Sequence, residues 1–219
     1  MSNPAIVQGR FITFEGGEGV GKTSNIQLCA DWLSQRGYSV LTTREPGGTP
    51  IAEIIRNKLL KAHHAEPMFP ITELLLMFAA RAQHVESVIK PALKQGTWVL
   101  CDRFTDSTIA YQGFGRGLEL EIIATLRDLA HPGLEPDVTL LLDAPVVVGM
   151  SRARHRSQES LEPTDRFEAE EQAFFERVRD GFHALSATNP RFHRINADQA
   201  LELVQQDIQR IISSLISGQ

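Results

Sequence analysis

Cysteine is scarce in this chain. Its two residues, Cys29 and Cys101, cannot build a disulfide framework, and the reducing cytosol is the expected setting. Basic charge is scarce as well: 22 Lys and Arg face 27 Asp and Glu, for a formal net charge of −5. Such a balance argues against a nucleic-acid partner, so any basic groups that matter should be locally clustered. No apolar run approaches the ~18 residues that cross a bilayer, and MSNPAIVQGR has no basic stretch leading into an apolar one. Neither a membrane partner nor an export signal is therefore expected. Internal repeats, low-complexity tracts and long linkers are missing too. What is present is 219 residues, 42% of them hydrophobic, a size and composition suited to one domain, 1–219.

Short apolar runs alternate with longer helical patterns along the chain. FITF (11–14), SVLTT (39–43), TWVLC (97–101), VTLLLD (138–143) and a weaker FHRINA (192–197) read as strands. Helical patterns fill the intervals: KTSNIQLCADWLSQRG after the first strand, IAEIIRNKLLK, a long stretch over 71–96 bent near Pro91, LELEIIATLRDLA, VVVGMSRARHR, EAEEQAFFERVRDGF and 199–216. DRFTDSTIAYQG follows the third strand, GFGRG reads as a glycine-rich turn, and SQESLEPTD (157–165) as a loose polar segment. Strands joined by helical crossovers predict an α/β fold of three layers, a five-stranded parallel sheet flanked by helices. Ligands then belong at the carboxyl ends of the strands.

The first of those ends carries EGGEGVGKT (15–23), in which Gly16 to Thr23 match G-x-x-x-x-G-K-T between a strand and a helix. Gly16, Gly19 and Gly21 let backbone N–H groups approach a triphosphate, and the helix that begins near Lys22 adds its positive end. The ATP-binding segment is thus Gly16, Gly17, Glu18, Gly19, Val20, Gly21, Lys22 and Thr23, with Lys22 along the β- and γ-phosphates and Thr23 toward Mg²⁺. N-K-x-D, with which regulatory GTPases read guanine, does not occur. Glu18 is the odd member of the loop. A carboxylate repels phosphate but accepts a hydrogen bond from a hydroxyl, so it marks a border between donor and acceptor sites.

FEGGEGVGKTS, TREPGGTP, LLMFAARAQ and CDRFTDSTIAYQGFGRG, in this order and at these separations, resemble the bacterial thymidylate kinases, from residue 10 to the C-terminus. The resemblance implies the P-loop kinase fold, with ATP and Mg²⁺ serving transfer of the γ-phosphate to thymidine monophosphate, and a homodimer. It places Glu18 on the sugar 3′-hydroxyl, Arg103 on the acceptor phosphate, Glu45 and Pro46 at the floor of the acceptor site, and Tyr111 against the sugar. Base recognition falls by resemblance on Phe78 or its neighbour Met77, on Arg81, and on Ser107, Thr108 and Gln112. A guanidinium fork suits phosphate oxygens, which independently favours Arg103. Asp102 ends a predicted strand where it can reach the metal shell opposite Thr23, with Asp143 as its rival, and Arg44 is either a phosphate contact or a surface ion pair.

Some relatives carry an arginine inside the loop, where this chain has Glu18, Gly19 and Val20. The missing charge is expected from a lid over about 152–168, with Arg156 first, Arg154 next, and Arg152 and Arg166 as further candidates. HRSQESLEPTD is longer than the usual bacterial lid. Two other functions fit the phosphate loop: a kinase for a different nucleotide or deoxynucleoside, and a non-catalytic nucleotide switch.

Overall fold

The computed structural model describes residues 9–62, 64–160, 167 and 170–217, with 156–160 described by their backbone alone. Strands β1 (Phe11–Glu15), β2 (Val40–Arg44), β3 (Trp98–Asp102), β4 (Val138–Asp143) and β5 (Phe192–Asn196) form one sheet in the order β2-β3-β1-β4-β5. Every neighbouring pair is parallel. Helices α1 (Lys22–Ser34), α2 (Pro50–Ile54), α3 (Pro70–His84), α4 (Lys90–Lys94), α5 (Thr105–Thr108), α6 (Leu120–Ala130), α7 (Val146–Ser160), α8 (Gln172–Thr188) and α9 (Leu201–Ser217) connect and follow them. Wide π-type turns at Ile55–Leu60, Val85–Ile89 and Ile109–Gly115 extend α2, α3 and α5.

Period-two alternation sorts the strand side chains between two helical layers. Ile12, Phe14, Trp98, Leu100, Leu140 and Leu142 form one buried cluster with Leu33 of α1 and Ile208 and Ile212 of α9. Phe11, Val99 and Cys101 point the other way, onto Val85, Ile89 and Phe104. A second cluster on that side joins Leu141 and Tyr111 to Phe174, Phe175 and Phe182 of α8. Because the inner strands β1, β3 and β4 are covered on both faces, they read in the sequence as mostly apolar runs, whereas β2 and β5 at the edges are partly exposed and mixed.

Several boundaries differ from expectation for physical reasons. β2 runs one residue further, to Arg44, because it pairs with Asp102 of β3. The helical stretch changes at Pro91, where a wide turn gives way to α4. Pro91 occupies the opening turn of α4, after the wide turn Val85–Ile89, where a missing N–H costs little. Within DRFTDSTIAYQG, Asp102 ends β3 and the chain is helical from Thr105, as α5 and the wide turn after it. The segment read as loose from 157 is helical to Ser160, since α7 continues that far. Leu161 to Arg166 lie outside the described residues.

α7 starts directly against the loop between β1 and α1. A Cβ on Gly19 would stand 2.0 Å from the Gly149 carbonyl oxygen, and one on Gly149 would stand 2.3 Å from that of Glu18. Only backbone fits between the two segments.

Candidate active site

The register of the sheet determines which groups meet. Phe14 and Arg44 both lie opposite Asp102, so β1, β2 and β3 end at one level. The chain adds β2 and β3 on one side of β1 and then β4 and β5 on the other, so its direction reverses at β1, where a crevice is expected. A cavity of about 460 Å³ opens there. Glu18 to Ser24, Arg44 to Pro46, Asp102 and Arg103 line it from the strand ends, Met77 and Arg81 from α3, and Ser107, Thr108, Tyr111 and Gln112 from α5 and the turn beyond.

Gly16 takes φ 132°, and a Cβ there would lie 2.2 Å from the Leu142 carbonyl oxygen, so glycine is required. Val20 turns its side chain into the sheet core and leaves its backbone to the loop. Lys22 is buried, with Nζ donating to the carbonyl oxygens of Gly17 at 2.7 Å and Gly16 at 3.2 Å. Burial and then the Arg103 charge lower its pKa to about 8. Thr23 Oγ1 donates to Asp102 Oδ2 at 3.3 Å, which joins the two residues expected near the metal.

Arg103 has φ 68°, the one non-glycine residue with positive φ among those described. Such a conformation costs roughly 1–3 kcal/mol and persists where its surroundings enforce it. Here its N–H donates to Phe14 O at 3.0 Å, Nη1 donates to Gly16 O at 2.9 Å and Ser107 Oγ at 3.2 Å, and Nη2 donates to Glu18 Oε1 at 2.7 Å. The guanidinium lies 4.8 Å from the centre of the Tyr111 ring, and the Tyr111 hydroxyl donates to the same Glu18 oxygen at 2.9 Å. Glu18 is thereby gathered in by two partners across the loop. Burial pushes the Tyr111 phenol well above its ordinary value; Arg103 pulls it down and Glu18 pushes it further up.

Glu45, reached through a cis peptide to Pro46, accepts from Arg81 Nε at 2.6 Å and pairs with His84 Nδ1 at 2.9 Å. His84 Nε2 meets Thr43 Oγ1 at 2.7 Å. Burial alone would raise the Glu45 pKa, but Arg81 and His84 more than offset it and hold it below the usual value. Arg81 is 3% exposed, and its buried Nη1 has no partner among the described residues. Ser107 donates to Glu15 Oε2 while accepting from Arg103, and Glu15 Oε1 takes the Phe104 N–H at 2.7 Å. Burial and the Asp106 charge push Glu15 up to about 8, against its hydrogen bonds and Arg103.

Adjacent helical residues point about 100° apart. Met77 accordingly faces the cavity, while Phe78 packs with Leu74 and Ile123 beneath the Arg81 guanidinium, 4.9 Å from its ring centre. Arg44 lines the cavity and pairs with Glu53 at 2.8 Å. Asp143 is taken up by Arg179 at 2.8 Å and 3.1 Å and by His183 at 3.1 Å. Arg152 bonds the Ala197 carbonyl at 2.9 Å and Asp198 at 3.2 Å, and Arg154 is exposed in a separate cleft with Glu170 and Gln172. The Arg156 side chain and all of Arg166 lie outside the described residues.

Sequence reasoning missed Glu15, Glu73, His84 and Arg116, each of which holds a cavity residue or its partner. Glu73 receives Gln112 Nε2 at 2.7 Å and Arg116 Nη2 at 3.3 Å. The one signal was a polar residue inside an otherwise apolar helix, as with Glu73 in ITELLLMF.

Known proteins resemble this chain over most of its length. A family model described as thymidylate kinase matches residues 14–208. The chain is 56% identical over 201 residues to a thymidylate kinase of Chromohalobacter salexigens, spanning 91% of this chain and 93% of that one. It is 53% identical over 209 residues to that of Teredinibacter turnerae, spanning 95% and 99%. The crystal structure of thymidylate kinase from Ehrlichia chaffeensis superposes with a TM-score of 0.74 at 36% identity, over 94% of this chain and 99% of that one. With a phosphate loop at β1, an arginine after β3 and a buried Glu45–Arg81 pair at the cavity, in a chain matched over most of its length, this protein belongs to the thymidylate kinase family.

Proposed function

We propose that the cavity holds thymidine monophosphate beside ATP, with the residues above dividing the work between acceptor and donor. The chain is an enzyme that transfers the γ-phosphate of ATP to that acceptor, giving the diphosphate. One observation carries the assignment of the cavity. Arg81 offers a buried donor, Nη1, and Gln112 offers Oε1, and neither has a partner among the described residues. A donor and an acceptor on one wall match the thymine edge, which presents a carbonyl and an N–H. Cytosine presents the opposite pair.

The remaining roles follow from position. Arg103 grips the acceptor phosphate and is already aimed by Gly16, Ser107 and Glu18. Glu18 accepts from the sugar hydroxyl and the Tyr111 ring crowds the sugar, which favours deoxynucleotides. Lys22 exchanges its loop carbonyls for phosphate oxygens. Orientation of both reactants is the main source of rate, since phosphoryl transfer asks little covalent chemistry of a protein. The Thr23 hydroxyl and Asp102 carboxylate are hard oxygen donors already in contact, a pair that fits Mg²⁺. When bound, the ion would neutralise phosphate charge. Arg156, then Arg154, supplies the charge on the moving group from a lid over about 152–168, with Arg166 and Arg152 behind them.

A single domain in the cytosol completes the reading. Both cysteines are unpaired and buried, and no described helix is long and apolar enough to cross a membrane. A homodimer is supported by exposed Ile51, Ile54, Phe69, Ile71, Leu75 and Leu120 on and beside α2, α3 and α6, of which α3 packs against the other two.

A coupled assay of ADP release tests the reading with thymidine monophosphate, uridine monophosphate, deoxyguanosine monophosphate, thymidine and no acceptor. Strong stimulation by thymidine monophosphate is expected. Equal rates across all five would overturn it.

A further inference from the structure

A glutamine amide has two nearly isosteric faces, and which one meets a ligand is decided by what holds the other. Gln112 Nε2 donates to Glu73 Oε1 at 2.7 Å, and both side chains are 1% exposed. The Glu73 carboxylate is engaged by Arg116, through Nε at 3.4 Å and Nη2 at 3.3 Å, and Arg116 Nη1 reaches Glu170 Oε1 at 2.5 Å. The Arg116 guanidinium also lies 4.7 Å from the Phe174 ring centre. With an arginine fork set against both of its oxygens, the Glu73 carboxylate meets the amide as an acceptor. The amide must therefore turn its NH₂ toward Glu73. Its carbonyl oxygen is left facing the cavity, where no described residue donates to it.

We propose that Glu73 is a positioning residue that selects the base by fixing the polarity of the Gln112 amide. This rests on the reading of Gln112 as a residue that contacts the base. An amide presenting oxygen accepts from the N3–H of thymine or uracil. The same amide reversed would donate to the bare N3 of cytosine, so a group that never touches the nucleotide decides which pyrimidine is favoured. Negative selection is built in, because cytosine would leave both Gln112 Oε1 and the Arg81 donor facing groups of like polarity.

Glu73→Gln is isosteric and replaces a pure acceptor by an amide that pairs with Gln112 in either orientation. The measurement is kcat and KM for thymidine monophosphate and deoxycytidine monophosphate in wild type, Glu73→Gln, Glu73→Asp and Gln112→Ala, with Tm alongside. The ratio of kcat/KM for the two nucleotides should fall roughly ten- to hundredfold in Glu73→Gln, chiefly through KM. Glu73→Asp, which keeps an acceptor, should recover part of that ratio. Should Glu73→Gln alone fold poorly, Glu73→Gln with Arg116→Gln removes the facing cation and should show the same loss of selectivity. An unchanged ratio in the folded Glu73→Gln proteins, with thymidine monophosphate KM raised in Gln112→Ala, overturns the role of Glu73 alone. No change in either KM or ratio in Gln112→Ala overturns the reading of Gln112 as well, and the proposal with it.

Discussion

Glu45 and Arg81, on the acceptor side of the cavity, are each 3% exposed and joined at 2.6 Å, whereas Arg154 on α7 is exposed and Arg152 is engaged with Ala197 and Asp198. On the acceptor side Glu18, Glu45 and Glu73 each hold an arginine through a direct ion pair. Such a wall has little side-chain entropy left to lose on binding and can discriminate between ligands. An exposed arginine keeps its hydration and rotamer freedom until something closes over it. The two sides therefore suit different tasks, selection on one and charge delivery at the moment of reaction on the other.

The sharpest way to break this comparison is at Arg156. Arg156→Ala should lower kcat by about 10³, as expected for a transition-state arginine, while leaving Tm and nucleotide KM almost unmoved. A fall in Tm with kcat preserved would assign this arginine a structural role instead. On the prepared side, Lys22→Ala and Arg103→Ala should each lower turnover by at least about 10². Single-turnover rates would show whether that loss lies in the chemical step. Glu45→Ala strands the Arg81 charge in a buried site and should cost about 3–5 kcal/mol of stability by denaturant titration. It should also raise KM for thymidine monophosphate, because Arg81 loses its aim.

Lys22 supplies a test in pH. Burial has lowered its pKa to about 8, and bound phosphate favours its charged form, so above pH 8 binding must take up a proton. ATP affinity measured by calorimetry should therefore weaken with rising pH, by up to about tenfold per unit. Lys22→Arg should flatten that dependence. The smallest effect belongs to Arg152→Ala, for which kcat should change less than about threefold, since a surface ion pair contributes roughly 0–1 kcal/mol.

The same division explains what could be read from the amino acids alone. The inner strands were legible because sheet burial on both faces leaves mostly apolar runs such as VTLLLD and WVLC, while β5 at the edge, FHRIN, was the weaker signal. The phosphate loop, Arg103 and Glu45 were legible because their motifs are local. α5 was not: Thr105, Asp106, Ser107 and Thr108 are all buried, yet none is apolar, so no helical period of hydrophobic residues announces them. Their burial is offset by partners distant in sequence, Thr105 with His131 at 2.7 Å and Asp106 with Arg191 at 2.7 Å. Glu73, His84 and Arg116 escaped for the same reason. Pairs of this kind are set by the sheet order, which brings together chain segments that no spacing rule links.

The contact of Gly19 with Gly149 has a consequence for how such a protein can change over generations. Each position forbids a side chain because of backbone supplied by the other segment, so the two are inherited as a single constraint although they lie far apart in the gene. A version of α7 exchanged from a relative will be accepted only if it brings a glycine to that point. The helix can thus diversify in length and charge beyond its first turns, while its root stays fixed to the glycine loop.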